Sequence, residues 1–128
     1  QIAQYARSLV PEHGSVVGVL RLNNARHDEH ISNTAHHFID AYDRVFIYDM
    51  AQNDGENGRV IGEVPAIIQR VANEHRVQAD IINDDQAALA AARDSSTPDT
   101  VIVYIIRDYA TSYQTANTIF NFQEEPSV

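Results

Sequence analysis

Residues 16–22 read VVGVLRL, an almost continuous apolar run with the length of one β-strand. A strand that is apolar on both faces is typical of a parallel sheet, in which helices cover both sides. Similar runs follow along the chain, at 44–49 (RVFIYD), 78–82 (QADII, the shortest) and 100–106 (TVIVYII). The sequence therefore predicts at least four buried strands.

Segments with apolar residues at helical spacing separate these strands. The first, 2–10, carries its apolar side chains on one helix face, at Ile2, Tyr5, Ala6 and Leu9. Pro11 and Gly14 end it. Further helices are predicted over 28–41, from 62–63 onward, from Asp84 or Asp85 to before Thr97, and over 108–120.

Strands and helices thus alternate with short connections. Such alternation predicts an α/β fold: a Rossmann-like, three-layer domain with a mainly parallel sheet of at least four strands and helices on both faces. We assign residues 14–120 to this domain. Residues 1–13 are expected to form a linker helix with the loop that leads into the domain, and 121–128 a frayed tail.

The charge of the chain is strongly acidic. Its 128 residues include 18 acids and 9 bases, which gives a net charge of −9, and every base is an arginine. A negative field repels nucleic acid and anionic membrane surfaces, so neither is an expected partner. The absence of lysine has two explanations that the sequence leaves open, adaptation to high salt and biased base composition.

Several classes of site are excluded by residue types that the chain lacks. Without cysteine there is no disulfide, thiolate nucleophile or cysteine zinc site. Without lysine there is no G-x-x-x-x-G-K-[ST] phosphate loop, and no G-x-G-x-x-G fingerprint occurs. No signal peptide or membrane span is evident, so a cytoplasmic location is expected. Because the chain begins inside a predicted helix at Gln1, we expect a piece of a longer protein.

Charged residues follow three of the predicted strands, and ligands of parallel sheets bind at that edge. Arginine can bind phosphate or carboxylate through two hydrogen bonds, and helix N-termini add N–H donors. The alternative is that these residues are solvated loop charges and helix caps. The candidates for nucleotide or substrate binding are Arg26 and Asp28 in the first loop, Asp49, Arg59 and Glu63 in the second, and Arg107 and Asp108 in the third.

Histidines crowd the first loop and the helix after it, at His27, His30, His36 and His37. Their spacing could form an open metal site, but no H-E-x-x-H motif and no second cluster supplies a third ligand. We therefore expect exposed histidines on a helix surface and no metal site. A phospho-acceptor receiver domain is disfavoured too, since paired acids after the first strand and a later lysine are both missing.

Three segments, taken in order and with their spacing, resemble the C-terminal domain of the Mur ligase family, and cyanophycin-synthetase-like ligases most of all. VVGVLRLNNARHDEHI (16–31) is similar to a strand that runs into a G-D-R-R-D-E-D-I-like loop and helix. In 42–71 an aspartate ends the strand, a Gly-Arg pair follows, and G-E-V opens the next helix. INDDQAALAAARDSSTPDTVIVYIIRD (82–108) is similar to an E-x-A-L-x-x-A helix and the strand after it.

The resemblance implies the C-terminal domain of an ATP-dependent amide ligase, which forms peptide-like bonds. In that family an upstream central domain of the same polypeptide binds ATP and Mg²⁺ and makes an acyl-phosphate. The C-terminal domain closes over the nucleotide and the incoming amino acid or peptide substrate. By position, five of the seven candidates match residues of the family pattern: Arg26 and Asp28 in the first loop, Asp49 at the strand end, Arg59 in the second loop and Glu63 in G-E-V. Arg107 and Asp108 fall where the last strand meets the cleft.

The first loop departs from the family pattern, because Gly-Asp is replaced by Asn24-Ala25 and the second arginine by His27. We expect no catalytic residue in this chain and no activity from it alone. The alternative is a non-catalytic Rossmann-like binding or assembly module that has lost the ligase site. A homo-oligomer is compatible with either hypothesis.

Overall fold

A computed structural model describes residues 2–10, 12, 14–21, 28–49, 62–82, 84–105 and 109–120. Its strands are β1 (Ser15–Leu20), β2 (Arg44–Ile47), β3 (Gln78–Ile81) and β4 (Thr100–Tyr104). Its helices are α1 (Ile2–Ser8), α2 (Asp28–Phe38), α3 (Glu63–Glu74), α4 (Asp85–Asp94) and α5 (Tyr109–Phe120). A short 3-10 helix, Ile39–Ala41, follows α2.

The strands form one parallel sheet in the order β3-β2-β1-β4. The apolar runs in the sequence predict a parallel sheet, because a central strand of such a sheet has to bury side chains on both faces. In β1, Val16, Val17, Val19 and Leu20 are all buried. The expected Rossmann-like, three-layer α/β fold is confirmed.

Helices cover the two faces of the sheet with separate apolar cores. On the first face α1, α2 and α3 contribute core residues such as Ala6, Ile31 and Ile68. On the second face α4 contributes Ala88 and Leu89, and α5 packs beside α4. The predicted stripes of α2 and α3 therefore face the sheet as expected.

The apolar face of the first helix is only partly buried. Ala6 is buried, but Tyr5 and Leu9 are 63% and 58% exposed. The physical reason is the position of α1, which packs against β4 and β1 at one end of the sheet. No described strand extends the sheet beyond β4, so one side of the α1 face lacks a surface to pack on.

Element boundaries differ by a few residues from the predictions. The helix expected over 28–41 is α-helical only to Phe38 and then tightens, because the Tyr42 N–H bonds the Ile39 carbonyl and starts the turn into β2. β1, β2 and β4 end at Leu20, Ile47 and Tyr104, short of the predicted ends. The expected tail, 121–128, lies outside the described residues. In the described part no helix is long and apolar enough to span a membrane.

Candidate functional site

The strand order creates a switch point between β1 and β4. The helices after β1 and β2 lie on the first face of the sheet, whereas α5, which follows β4, lies on the second face beside α4. Connections that leave neighbouring strands toward opposite faces open a crevice at the carboxyl ends of those strands. The candidate site is therefore the carboxyl edge at β1 and β4, with Asp49 at the end of β2 beside it.

Asp49 follows β2 and is almost fully buried, with 9% of its surface exposed. Its Oδ2 accepts a hydrogen bond from the Gly62 N–H at 2.9 Å. Gly62 precedes α3 and has a φ of 91°, a left-handed conformation that glycine adopts without strain. The carboxylate thus joins the end of β2 to the start of α3. This geometry gives Asp49 a structural role at the position where the sequence predicted a ligand-binding acid.

Asp28 and Glu63 stand in the first turns of α2 and α3. Both side chains are exposed at the carboxyl edge. An acid in the first turn stabilises a helix through its dipole, so each residue has a local reason to be acidic.

Four of the seven predicted site residues, Arg26, Arg59, Arg107 and Asp108, lie outside the described residues. Chain connectivity still constrains two segments: 22–27 joins β1 to α2, and 106–108 joins β4 to α5. Arg26, Arg107 and Asp108 therefore belong to the two connections that flank the switch point. Their contribution to the site stays a prediction.

A tyrosine network that the sequence did not predict ties the strand ends together. The hydroxyl of buried Tyr48, after β2, donates to the Ile105 carbonyl at 2.5 Å, reaching across β1 to the end of β4. The Tyr104 hydroxyl donates to Asp85 Oδ2 at 3.1 Å. The Tyr48 and Tyr104 ring centroids are 6.2 Å apart. These contacts fix the geometry of the carboxyl edge.

Only part of this network had a signal in the sequence. The Asp84-Asp85 pair predicted the helix cap but not its division of roles. Asp84 caps α4 by accepting from the Ala87 N–H at 2.9 Å, and this leaves the buried Asp85 carboxylate to Tyr104. Tyr48 and Ile105 are 57 residues apart, and no local pattern links them.

The histidines form a pair that the sequence did not predict. His30, His36 and His37 are exposed on α2, as expected, and His27 lies outside the described residues. His36 Nδ1 lies 2.8 Å from Nε2 of His75, which follows α3. Asp40 Oδ1 lies 2.7 Å from His75 Nδ1 and Glu74 Oε2 lies 3.5 Å from His36 Nε2. The cluster links the C-terminal ends of α2 and α3.

This histidine cluster is suited to sharing a proton, because a hydrogen bond between two imidazole nitrogens needs one donor and one acceptor. Of the residues that the structure describes, no three histidine, aspartate or glutamate side chains are grouped so that they could hold a metal ion.

Comparison with protein-family models finds no match to this chain, and comparison with curated proteins finds none either. The structure therefore establishes the fold alone, a Rossmann-like three-layer α/β domain with a parallel sheet.

Proposed function

We propose that this chain is the C-terminal domain of an ATP-dependent amide ligase, which closes over a nucleotide and an incoming amino acid bound to an upstream ATPase domain of the same polypeptide. The observation that carries the proposal is the switch point between β1 and β4. The two connections that flank it contain Arg26, Arg107 and Asp108, which match residues of the ligase pattern.

Mixed charge at this edge suits an amino acid. A free amino acid carries both a carboxylate and an ammonium group, and the connections offer arginines beside acids. Arg26 and Arg107 would bind the carboxylate by charge-assisted hydrogen bonds. Asp28, exposed at the start of α2, would bind the ammonium group and orient it toward an activated carboxylate in the other domain.

The described residues do not fit a phosphate cradle of their own. The Asp49 carboxylate already accepts the Gly62 N–H just before α3, and Asp28 and Glu63 add negative charge to the first turns of α2 and α3. Negative charge at a helix N-terminus competes with phosphate for the N–H donors. ATP and Mg²⁺ therefore belong mainly to the upstream domain, and we expect no turnover from this chain alone.

Amide chemical shifts of the full chain test the proposal during titration with single amino acids and, separately, with ATP–Mg²⁺. We expect millimolar amino acid to shift the amides of Arg21 and Asp28, which bound the first connection. Arg107→Gln should weaken this binding by about ten- to a hundredfold, since a charge-assisted hydrogen bond contributes roughly 1.5–3 kcal/mol. Arg70→Gln, an exposed arginine on α3, is the matched control and should leave the binding unchanged.

The same titration can contradict the proposal. Shifts confined to residues away from the carboxyl edge, or no shifts at millimolar ligand, would mean that the edge does not bind substrate. The chain would then be the non-catalytic binding or assembly module.

A further inference from the structure

We propose that the outer edge of β4 is an interface, and that its occupant is a second copy of this chain, joined through antiparallel pairing of the two β4 strands. β4 pairs with β1 on one side, and no described strand pairs with it on the other. The proposal is independent of the ligase function, because the residues that carry it lie on α1, β4 and α5.

The backbone of β4 offers a hydrogen-bonding edge. The Ile105 N–H bonds the Val19 carbonyl, and the Ser15 N–H bonds the Asp99 carbonyl. The backbone N–H and C=O groups of the odd-numbered residues of this strand therefore point toward β1. Because peptide groups alternate sides along a strand, the N–H and C=O of Ile102 point away from β1. A strand edge that no described strand covers is a template for another strand.

Exposed apolar side chains are concentrated beside this edge. Among the described residues the exposed large hydrophobics are Tyr5, Leu9 and Tyr113. Tyr5 and Leu9 line an apolar groove with β4 on the first face. On the second face Ala116 and Phe120 of α5 line another groove with Ile102, and Tyr113 shares their helix stripe. Apolar grooves on both sides of the same strand edge are typical of an interaction site.

Charge does not oppose a second copy at this surface, in contrast to the rest of the chain. The chain carries −9, so two copies repel each other over most of their surface. β4 (TVIVY) and α5 (YATSYQTANTIF) contain no charged residue, and α1 contains only Arg7. Arg7 pairs with Asp43 at 2.9 Å. This surface therefore lets two copies approach without bringing carboxylates together.

The opposite edge of the sheet, formed by β3, differs from the β4 edge in its charged and polar side chains. β3 carries Asp80, which pairs with Arg44 of β2 at 2.7 Å, and it begins with the polar residue Gln78. Charged and polar side chains on an edge strand discourage pairing with another chain. β4 carries no charged residue.

A twofold axis at Ile102 makes the two edges match. Antiparallel pairing then places Ile102 opposite its own copy, and Thr100 opposite Tyr104, with the same pleat face on both sides. The first-face groove of each copy adjoins that of the other, so the exposed Tyr5 and Leu9 side chains come together at the axis. The two four-stranded sheets become one continuous sheet.

Light scattering after gel filtration of the full chain tests the oligomeric state. We expect a species of about twice the 14.3 kDa mass of one chain. Tyr5→Glu with Leu9→Glu should raise the dimer dissociation constant at least about 100-fold, because it puts four carboxylates at the axis. Ala66→Glu with Asn73→Glu adds the same charge at exposed positions of α3 and should leave the dimer intact.

Hydrogen exchange at single amides identifies the edge. In the dimer the Ile102 amide should be protected, and in the Tyr5→Glu/Leu9→Glu variant it should exchange at least about tenfold faster. The Val101 and Val103 amides, which face β1, should stay protected in both proteins and so report that the variant is folded.

Two outcomes would overturn the proposal. A chain that stays monomeric at 100 µM or above, roughly the range of a weak specific dimer, lacks the interface. A monomer with a protected Ile102 amide would further show that another part of the same chain covers the edge. A dimer that survives the α1 substitutions with its Ile102 amide unchanged would place the contact elsewhere.

Discussion

Gly18 shows how one residue without a side chain fits the centre of the sheet. A Cβ atom at Gly18 would lie 2.8 and 2.9 Å from two ring carbons of Tyr42. Tyr42 is buried between the end of the 3-10 helix and β2, so its ring has little room to move. The glycine in VVGVLRL therefore allows the Tyr42 ring to pack closely against β1.

Gly18→Ala should lower the free energy of unfolding by about 1–3 kcal/mol through overpacking, although alanine is the stiffer residue in a strand. Urea unfolding measures the change. In a Tyr42→Leu background the same substitution should cost clearly less, because the clashing ring carbons are gone. An equal cost in both backgrounds would contradict the assigned clash.

Tyr42 also carries a pH-dependent contribution to stability. Burial disfavours the phenolate and raises the pKa of Tyr42 from 10.0 to about 12. Because the folded-state pKa is the higher one, this contribution is complete below pH 10 and is lost as the pH rises through 12. The loss amounts to roughly 2–3 kcal/mol.

Urea unfolding from about pH 9, which is below the phenol pKa, to about pH 12 measures this loss. Tyr42→Phe, which has no hydroxyl to ionise, is the comparison. The stability difference between Tyr42→Phe and the unaltered chain should grow in favour of Tyr42→Phe above pH 10. A difference that stays constant over this range would mean that Tyr42 ionises as easily in the folded chain as in the unfolded one.

At the scale of elements, the start of α4 depends on one cap. The sequence predicted Asp84 or Asp85, and the structure assigns the cap to Asp84, whose Oδ2 accepts from the Ala87 N–H. Asp84→Ala should destabilise the fold by about 1 kcal/mol. Asp94→Ala, at the exposed end of the same helix, is the control and should change stability by less than about 0.5 kcal/mol. Equal effects in thermal unfolding would contradict the assignment.

The contact between the end of β2 and the start of α3 depends on Asp49. Asp49→Ala leaves the Gly62 N–H without its 2.9 Å acceptor and should cost about 1–3 kcal/mol. Asp49→Asn keeps an acceptor oxygen and should retain most of the stability. If both variants are as stable as the unaltered chain, the aspartate is not a structural residue, and the ligand-binding role predicted from the sequence regains weight.

Several element predictions follow directly from local physics, and others could not. The start of α2 at Asp28 and the start of α3 after Gly62 agree with the starts predicted from the sequence. The exposure of Tyr5 and Leu9 could not be predicted, because apolar spacing shows which face of a helix is apolar but not whether a strand lies opposite. The His36–His75 pair spans 39 residues and has no local signature.

For the whole molecule, the net charge of −9 implies a destabilising self-repulsion. Salt shortens the range of this repulsion from about 30 Å at 0.01 M to about 3 Å at 1 M. We expect the unfolding temperature to rise by about 4 °C or more over that range, a gain near 1 kcal/mol. NaCl and KCl should act alike at a fixed protein concentration. A flat or falling temperature would contradict the repulsion.

The sequence by itself determined the class of the fold. Continuous apolar strands that alternate with amphipathic helices can bury their apolar surface only as a parallel sheet covered on both faces. Composition and periodicity were therefore sufficient to predict the fold class. The lack of lysine and cysteine likewise excluded whole classes of site. These conclusions depend on residue types and short spacings, which a sequence displays directly.

Tertiary structure alone decided the strand order, and with it the switch point at β1 and β4 and the outer edge of β4. It also joined Asp49 to Gly62, and Tyr48 to Ile105 across β1. The reason is that each of these features joins residues that are distant along the chain. Local propensities specify which segments form strands and helices, but packing determines which of them become neighbours.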